Sequence, residues 1–258
     1  MKTVTSADGT SIAFEQHGDG PPLVLLHGSS GDHHAWDGVV PHLADDFTLI
    51  IPDRRGRGHS ADADTHSLAH EVADLKAIVD SIEGDATVFG HSYGGLVALA
   101  AATEMDFDSL VLYEPAMLVG EHRGDDLAAR MKQRLDAGER RDAMKLFFRD
   151  AGGIVTPEQL PIWPEEVQFE LVETVVRENE AVESYELPSE PDVDCPTLLL
   201  TGEHGPEHLR AAVQTLADRV PQSRLVEFDG VGHVATDSAP QRVADAVRSF
   251  SLEEPAQS

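Results

Sequence analysis

The sequence is short of several things, and each shortage excludes something. It has one cysteine, Cys195, so no intramolecular disulfide framework is available, and a reducing, cytoplasmic setting is expected. Its surroundings, "VDCPTLLL", read as the start of a buried strand in which a thiol serves as a small apolar filler. No apolar run approaches the roughly 18 residues of a membrane-crossing helix. The first residues, "MKTVTSADGTSIAFEQHG", lack the basic-then-apolar order of a secretion signal. The expectation is a soluble protein with no membrane partner.

Positive charge is the scarcest commodity. Lysine and arginine total 19 against 47 acidic residues, giving a net charge of −28 and a pI near 4.6. The only lysines are Lys2, Lys76, Lys132 and Lys145. Such a field repels nucleic acid and anionic membranes, which leaves a small molecule as the expected partner and a monomer or homodimer as the expected state. At 1 M salt the Debye length falls to about 3 Å and the self-repulsion is screened. The acid-rich, lysine-poor balance resembles proteins of salt-accumulating microbes. The thermal midpoint should therefore rise between low and molar KCl; a midpoint that stays level or drops retires the halophilic reading.

What remains is an ordinary globular composition, 41% hydrophobic and 26% charged over 258 residues. That length is the upper end of one domain, or one domain with an insertion, and buries roughly 75% of its unfolded surface. No internal repeat is visible. "KTVTS" and "SIAFEQHG" around Asp8-Gly9 read as a hairpin. "PLVLLHGSSG" reads as a buried strand ending in a Gly/Ser loop, a helix is expected over about 33–44, and "FTLIIPD" is a further strand. A helix from Leu68 to Ile82, the strand "ATVFG", a helix over 93–105 and the strand "FDSLVLYEP" follow. After Pro115 the alternation breaks into charge-rich helical segments with no clear strand, up to about 190. "CPTLLLTG", "PEHLRAAVQTLADRV", "SRLVEF" and "PQRVADAVRSFS" then restore it, and the closing "EEPAQS" reads as disordered. The pattern predicts an α/β fold: a mostly parallel, doubly wound sheet of about eight strands with helices on both faces. Residues 1–115 and 191–258 would form the core domain, and 116–190 a helical lid inserted after the sixth strand.

One stretch carries chemistry. "GHSYGG" is a G-x-S-x-G pattern, Gly90-His91-Ser92-Tyr93-Gly94, between a strand and a helix. A tight strand-to-helix turn strains the serine backbone and crowds its neighbours, so glycines two before and two after relieve the clash and leave Ser92 raised at the positive end of a helix. A base is needed, and His233 in "FDGVGHVATDSAP" lies in a loop between the last strand and last helix, where neutral imidazole can take the hydroxyl proton. Backbone amides of Ser29, in "HGSSG", and of Tyr93 are candidate oxyanion donors.

Strand-"HGSSG", "PDRRGRGHS", "GHSYGG" and a late "GVGH", in this order, resemble the α/β-hydrolase fold in its capped, serine esterase-like branch. The resemblance covers about 20–115 and 195–250 and implies a Ser–acid–His triad in that chain order. Many members carry an aspartate where this sequence has Gly205, in "TGEHGPEHL". The acid therefore falls to Glu114, at the end of "LVLYEP", with Glu203 as the alternative and a different carboxylate as a third option; Glu114 is favoured because the carboxyl edge of a parallel sheet is where sites form. The expected reaction is attack by Ser92 on a small apolar carboxylic ester, an acyl-enzyme, and water activated by His233, and no residue set in the sequence requires a metal or organic cofactor. Perhydrolysis of the haloperoxidase type, lactone or carbon–carbon bond hydrolysis, and a ligand receptor of the same fold are the competing functions.

Other residues have blander readings. His33 and His34 are adjacent, do not face one metal, and read as a solvated helix start. Arg54, Arg55 and Arg57 read as structural rather than phosphate-binding. Trp36 and His91 are candidates for the pocket wall or for core packing. Trp163, Phe147, Phe148 and Phe169 either form the underside of the lid or pack between its helices.

Overall fold

In the computed structural model, which describes residues 1–63, 65–160, 163–165 and 167–252, the chain opens with the expected hairpin. Strands β1 (Lys2–Thr5) and β2 (Ser11–His17) pair antiparallel, with Gly9 in the turn at φ +89°. Six more strands follow: β3 (Pro22–Leu26), β4 (Thr48–Pro52), β5 (Thr87–His91), β6 (Ser109–Tyr113), β7 (Thr197–Gly202) and β8 (Ser223–Phe228). They make one sheet in the order β1-β2-β4-β3-β5-β6-β7-β8, parallel from β4 to β8. The eight-stranded, mostly parallel sheet read from the sequence is what forms. Every residue of β5, β6 and β7 is buried, as continuous apolar runs require when helices cover both faces.

The strand pleat sends alternate residues to opposite cores. On one face Val24, Val88, Leu110 and Leu199 meet α2 (Leu68–Val79), α3 (Tyr93–Ala102) and α7 (Glu207–Arg219) through Leu75, Leu96 and Val213. On the other, Leu23, Phe89, Val111 and Leu198 meet α1 (Val40–Leu43) and α9 (Pro240–Leu252) through Leu43, Val243 and Val247. A short helix, α8 (Ala235–Ser238), precedes α9. Half-buried Cys195 packs against the first of these cores just ahead of β7.

The continuous helix expected over 33–44 is instead a 3-10 turn, His33–Trp36, followed by α1. Pro41 lies at the start of α1; it cannot donate a backbone hydrogen bond, and its ring crowds the carbonyl four residues back, so one helix cannot run through it. Between β6 and β7 lie α4 (Leu127–Asp136), α5 (Arg140–Asp150) and α6 (Val172–Ser184), with no strand among the described residues there. This insert has its own apolar cluster, in which Leu127, Met131, Met144, Phe147 and Val175 meet. Among the described residues no helix is long and apolar enough to cross a membrane. The tail read as disordered, 253–258, lies outside the described residues.

Candidate active site

Ser92 sits at the turn from β5 into α3 with φ 55° and ψ −121°, a conformation rarely held by a residue with a Cβ. The neighbouring glycines are forced. A Cβ on Gly90 would fall 2.4 Å from the Gly94 carbonyl oxygen, and one on Gly94 would fall 2.4 Å from that of Leu26. The strained backbone is pinned from both sides: the Ser92 N–H donates to the Tyr113 carbonyl at 3.0 Å, and the Ser92 carbonyl accepts from Gly95 at 2.9 Å. The loop after β3 runs alongside, since a Cβ on Gly28 would lie 3.6 Å from the Ser92 hydroxyl.

Across the β6–β7 boundary, Glu114 is fully buried and has φ 42°. Its Oε1 accepts from the Thr201 hydroxyl at 2.8 Å and the Gly202 N–H at 2.9 Å, and its Oε2 lies 2.7 Å from His233 Nδ1. A carboxylate only accepts, so Nδ1 carries the proton and Nε2 is left as the acceptor. Gly205 now has a reason: a Cβ there would lie 2.0 Å from Glu114 Oε1. The space a side chain at 205 would use is filled by the carboxylate from β6. Glu203 is held elsewhere, its Oε2 accepting from the Gly230 N–H at 2.7 Å.

The His233 loop is anchored at two carbonyls. The Tyr113 hydroxyl donates to Gly232 at 2.6 Å, and His91 Nε2 donates to His233 at 2.9 Å. The rings of His91 and His233 lie 4.6 Å apart. Burial, reinforced by His233 alongside, pushes His91 down to about 3, so it stays neutral and keeps that donor.

Ser92, His91 and His233 line one cavity of about 730 Å³, together with Gly28, Ser29 and, from the insert, Leu127, Phe147, Phe148 and Ile154. No hydrogen bond joins the Ser92 hydroxyl to His233 among the described residues; in substrate-free sites this bond is often long and tightens on complex formation. The Tyr93 N–H is the first of α3 and has no intrahelical partner. The Tyr93 ring itself is buried under the Arg54 guanidinium, 4.9 Å away.

The structure chooses between open readings for some residues and corrects that of His33. Trp36 is 1% exposed and packs edge-on against Phe89 at 4.8 Å, in the core rather than on the cavity wall. His33 is not solvated: it is buried with Nδ1 2.7 Å from Asp53, whereas His34 is exposed. Phe147 and Phe148 serve both the cavity and the insert cluster, while Trp163 packs edge-on against Phe169 at 5.3 Å. Arg54, Arg55 and Arg57 are all buried in ion pairs, the structural role expected of them.

Sequence reasoning missed the partners of those arginines. Arg54 meets Glu71 at 2.7 Å and Glu178 at 2.8 Å, Arg57 meets Glu178 at 2.6 Å, and His66 closes on Glu71 at 2.7 Å. Burial lowers both guanidinium pKa values; Glu178 and Glu71 more than offset this at Arg54, which ends above the ordinary value, whereas Arg57 ends below it. The available signal was a charge on an apolar helix stripe: Glu178 lies three after Val175 and four before Val182. His66, Glu71 and Glu178 are close enough to share a cation, but they already surround two guanidiniums, and a metal ion would add to that positive charge. Asp53, grouped with His33 and His59, already accepts from the backbone N–H groups of both at 3.0 and 2.8 Å.

Two buried histidines, His27 and His91, and the half-buried His208 make stability acid-sensitive. Burial holds His27 well below its ordinary range, brings His91 to about 3, and, with His122 nearby, brings His208 to about 4. Unfolded, each titrates near 6.5. Below that value the unfolded chain binds protons the folded chain refuses, so stability falls as pH drops from about 6.5 toward 5. Each histidine contributes a slope of up to about 1.4 kcal/mol per pH unit. Urea unfolding at pH 7 and 5 should show His208→Asn losing about 1 kcal/mol per pH unit of that slope; an unchanged slope contradicts the assignment.

An eight-stranded, mostly parallel sheet with a sharp strand-to-helix turn at its centre has the architecture of the α/β hydrolases. The family follows from the sequence match: residues 23–246 fit the model described as "Alpha/beta hydrolase family", and the chain belongs to that family of enzymes. A solved structure of an alpha/beta hydrolase from Sphaerobacter thermophilus is 33% identical over 95% of this chain and all of that one, with a TM-score of 0.81. The esterase RhEst1 from a Rhodococcus species shares the fold, with 23% identity, 98% of each chain covered and a TM-score of 0.79. A Mycobacterium tuberculosis protein named "Probable oxidoreductase EphD" is 36% identical over 102 residues, which is 37% of this chain and 17% of that protein. This chain thus matches less than a fifth of that relative's length.

Proposed function

We propose that the protein is a carboxylic ester hydrolase working through an acyl-enzyme on Ser92. The observation that carries this reading is the buried Glu114 carboxylate holding His233 Nδ1 at 2.7 Å on the cavity that Ser92 lines. His233 Nε2 takes the Ser92 proton as Oγ attacks the ester carbonyl. The amides of Ser29 and Tyr93 receive the developing oxyanion, each such donor being worth roughly 3–4 kcal/mol in the transition state. The imidazolium, stabilised by Glu114, returns the proton to the leaving alcohol, and the same ring then activates water to release the acid.

Residues 116–190 act as a lid on a core formed by 1–115 and 191–258. The apolar walls contributed by Leu127, Phe147, Phe148 and Ile154 suit a small, uncharged acyl or alkyl group. The lone half-buried Cys195 fits a cytoplasmic protein, and the net charge of −28 fits a salt-rich one that stays monomeric or dimeric. The test is intact-mass labelling with a fluorophosphonate in high salt, followed by a chain-length panel of p-nitrophenyl esters. One adduct on the wild-type chain and none on Ser92→Ala is expected; labelling that survives the substitution rejects the reading.

A further inference from the structure

The loop that carries Ser29 is held by its carbonyls. Arg54 Nε donates to the His27 carbonyl at 3.0 Å, and Arg54 Nη2 donates to the Gly28 carbonyl at 3.0 Å. Arg57 Nη2 donates to the Ser29 carbonyl. Three consecutive peptide units are therefore gripped from behind by two guanidiniums. The middle grip matters most. The Gly28 carbonyl and the Ser29 N–H belong to one planar trans peptide, in which the two groups point in opposite directions. Fixing that carbonyl on Arg54, with His27 Nδ1 at 2.8 Å as a second donor, aims the Ser29 N–H away from the arginines.

The two guanidiniums repel one another, and Arg54 is among the groups that make Arg57 harder to protonate. What lets them share this space is one oxygen. Glu178 Oε1 lies 2.8 Å from Arg54 Nη2 and 2.6 Å from Arg57 Nη2, the same two nitrogens that hold the Gly28 and Ser29 carbonyls. Glu178 is fully buried, and it comes from α6 of the insert rather than from the sheet. The other acid, Glu71 on α2, reaches Arg54 through Nη1 only.

We infer that Glu178 is a positioning residue for the Ser29 oxyanion donor, so that the inserted helix, by docking one carboxylate between Arg54 and Arg57, sets the geometry of the peptide that stabilises the transition state. The inference rests on the esterase reading above. It adds that the insert is more than a roof over the cavity: the oxyanion loop is correctly shaped only while α6 is seated. Without the Glu178 charge, the arginines move apart, the Gly28 and Ser29 carbonyls lose fixed donors, and the Ser29 N–H loses its aim. Ground-state binding, which depends on the apolar walls, is little affected.

The experiment compares wild type, Glu178→Gln and a control, Arg140→Gln. The control removes a different α5–α6 ion pair, between Arg140 and the exposed Glu173. Each is assayed for kcat and KM on p-nitrophenyl butyrate and for inhibition by butylboronic acid, which forms a tetrahedral adduct on the serine. Glu178→Gln should lower kcat by about 10- to 100-fold, less than the 10²–10³ of an outright donor loss, with KM within about threefold. Its boronate Ki should rise by the same factor as kcat falls, while Arg140→Gln stays near wild type in both. If Glu178→Gln lowers the melting temperature but leaves kcat and the boronate Ki unchanged, its role is structural and the inference is wrong. Should that variant not fold, Arg57→Lys, which keeps the charge but shortens the reach to the Ser29 carbonyl, carries the same decision. Failure of the esterase reading is separately visible, because the wild-type chain would then neither turn over the ester nor bind the boronate.

Discussion

Alanine at position 92 is expected to lower kcat for p-nitrophenyl butyrate by at least about 10⁴-fold while leaving the fold intact. The estimate follows from the division of labour at such sites. Losing the nucleophile removes the covalent route, and only the oxyanion donors and substrate binding remain, a residue of roughly 10³–10⁴ over water. His233→Ala should cost nearly as much, and the double variant little more than either alone, since the two act as one unit. Stability should move in the other direction at position 92. A side chain held at φ 55° costs of order 1–3 kcal/mol, and glycine adopts that conformation without penalty. Ser92→Gly should therefore raise the melting temperature while abolishing turnover. Retention of more than a tenth of wild-type kcat in either Ser92 variant would mean the reaction does not start at this hydroxyl.

Much of this site was legible in the sequence because its constraints are local. Gly90 and Gly94 flank Ser92 since a Cβ at either would meet backbone within 2.4 Å, and a steric rule of that kind leaves a fixed spacing in the chain. The buried runs of β5, β6 and β7 are equally local, each apolar throughout because helices cover both faces. Glu114 was favoured over Glu203 from its place at the end of a strand, but its neighbours were not legible: the β6–β7 pairing of Tyr113 with Leu200 puts it beside Thr201. Strand order decides which strand tips are neighbours, and a single sequence does not print strand order. Trp36 was open between pocket wall and core packing, and only the fold decides it: the ring packs against Phe89 in the core. The contact between Arg57 and Glu178 spans 121 positions. Its only trace in the sequence was a charge on the apolar face of a helix, a pattern that announces a buried partner without naming it.

The second large effect is expected at Glu114. Glu114→Gln should reduce kcat at pH 7 by about 10⁴-fold, whereas Glu203→Gln should stay within about threefold of wild type. The argument is one of donors. At Glu114 one carboxylate oxygen accepts from both the Thr201 hydroxyl and the Gly202 N–H, and the other faces His233 Nδ1. A glutamine there must keep its oxygen toward the two donors, because its NH₂ group would meet them donor to donor. The NH₂ group is then left facing His233, and the ring answers by moving its proton to Nε2 so that Nδ1 can accept. That tautomer has no lone pair for the Ser92 proton, which is how an asparagine in place of the triad aspartate disables serine proteases by a similar factor. Glutamine at 203 faces no such conflict, since its amide oxygen can still accept from Gly230 as the carboxylate does. The pair of variants, assayed side by side with the melting temperature as a check on folding, decides the acid. Loss of turnover in Glu203→Gln with Glu114→Gln still active would move the orienting role to the loop after β7 and leave the 2.7 Å contact at His233 as a structural one.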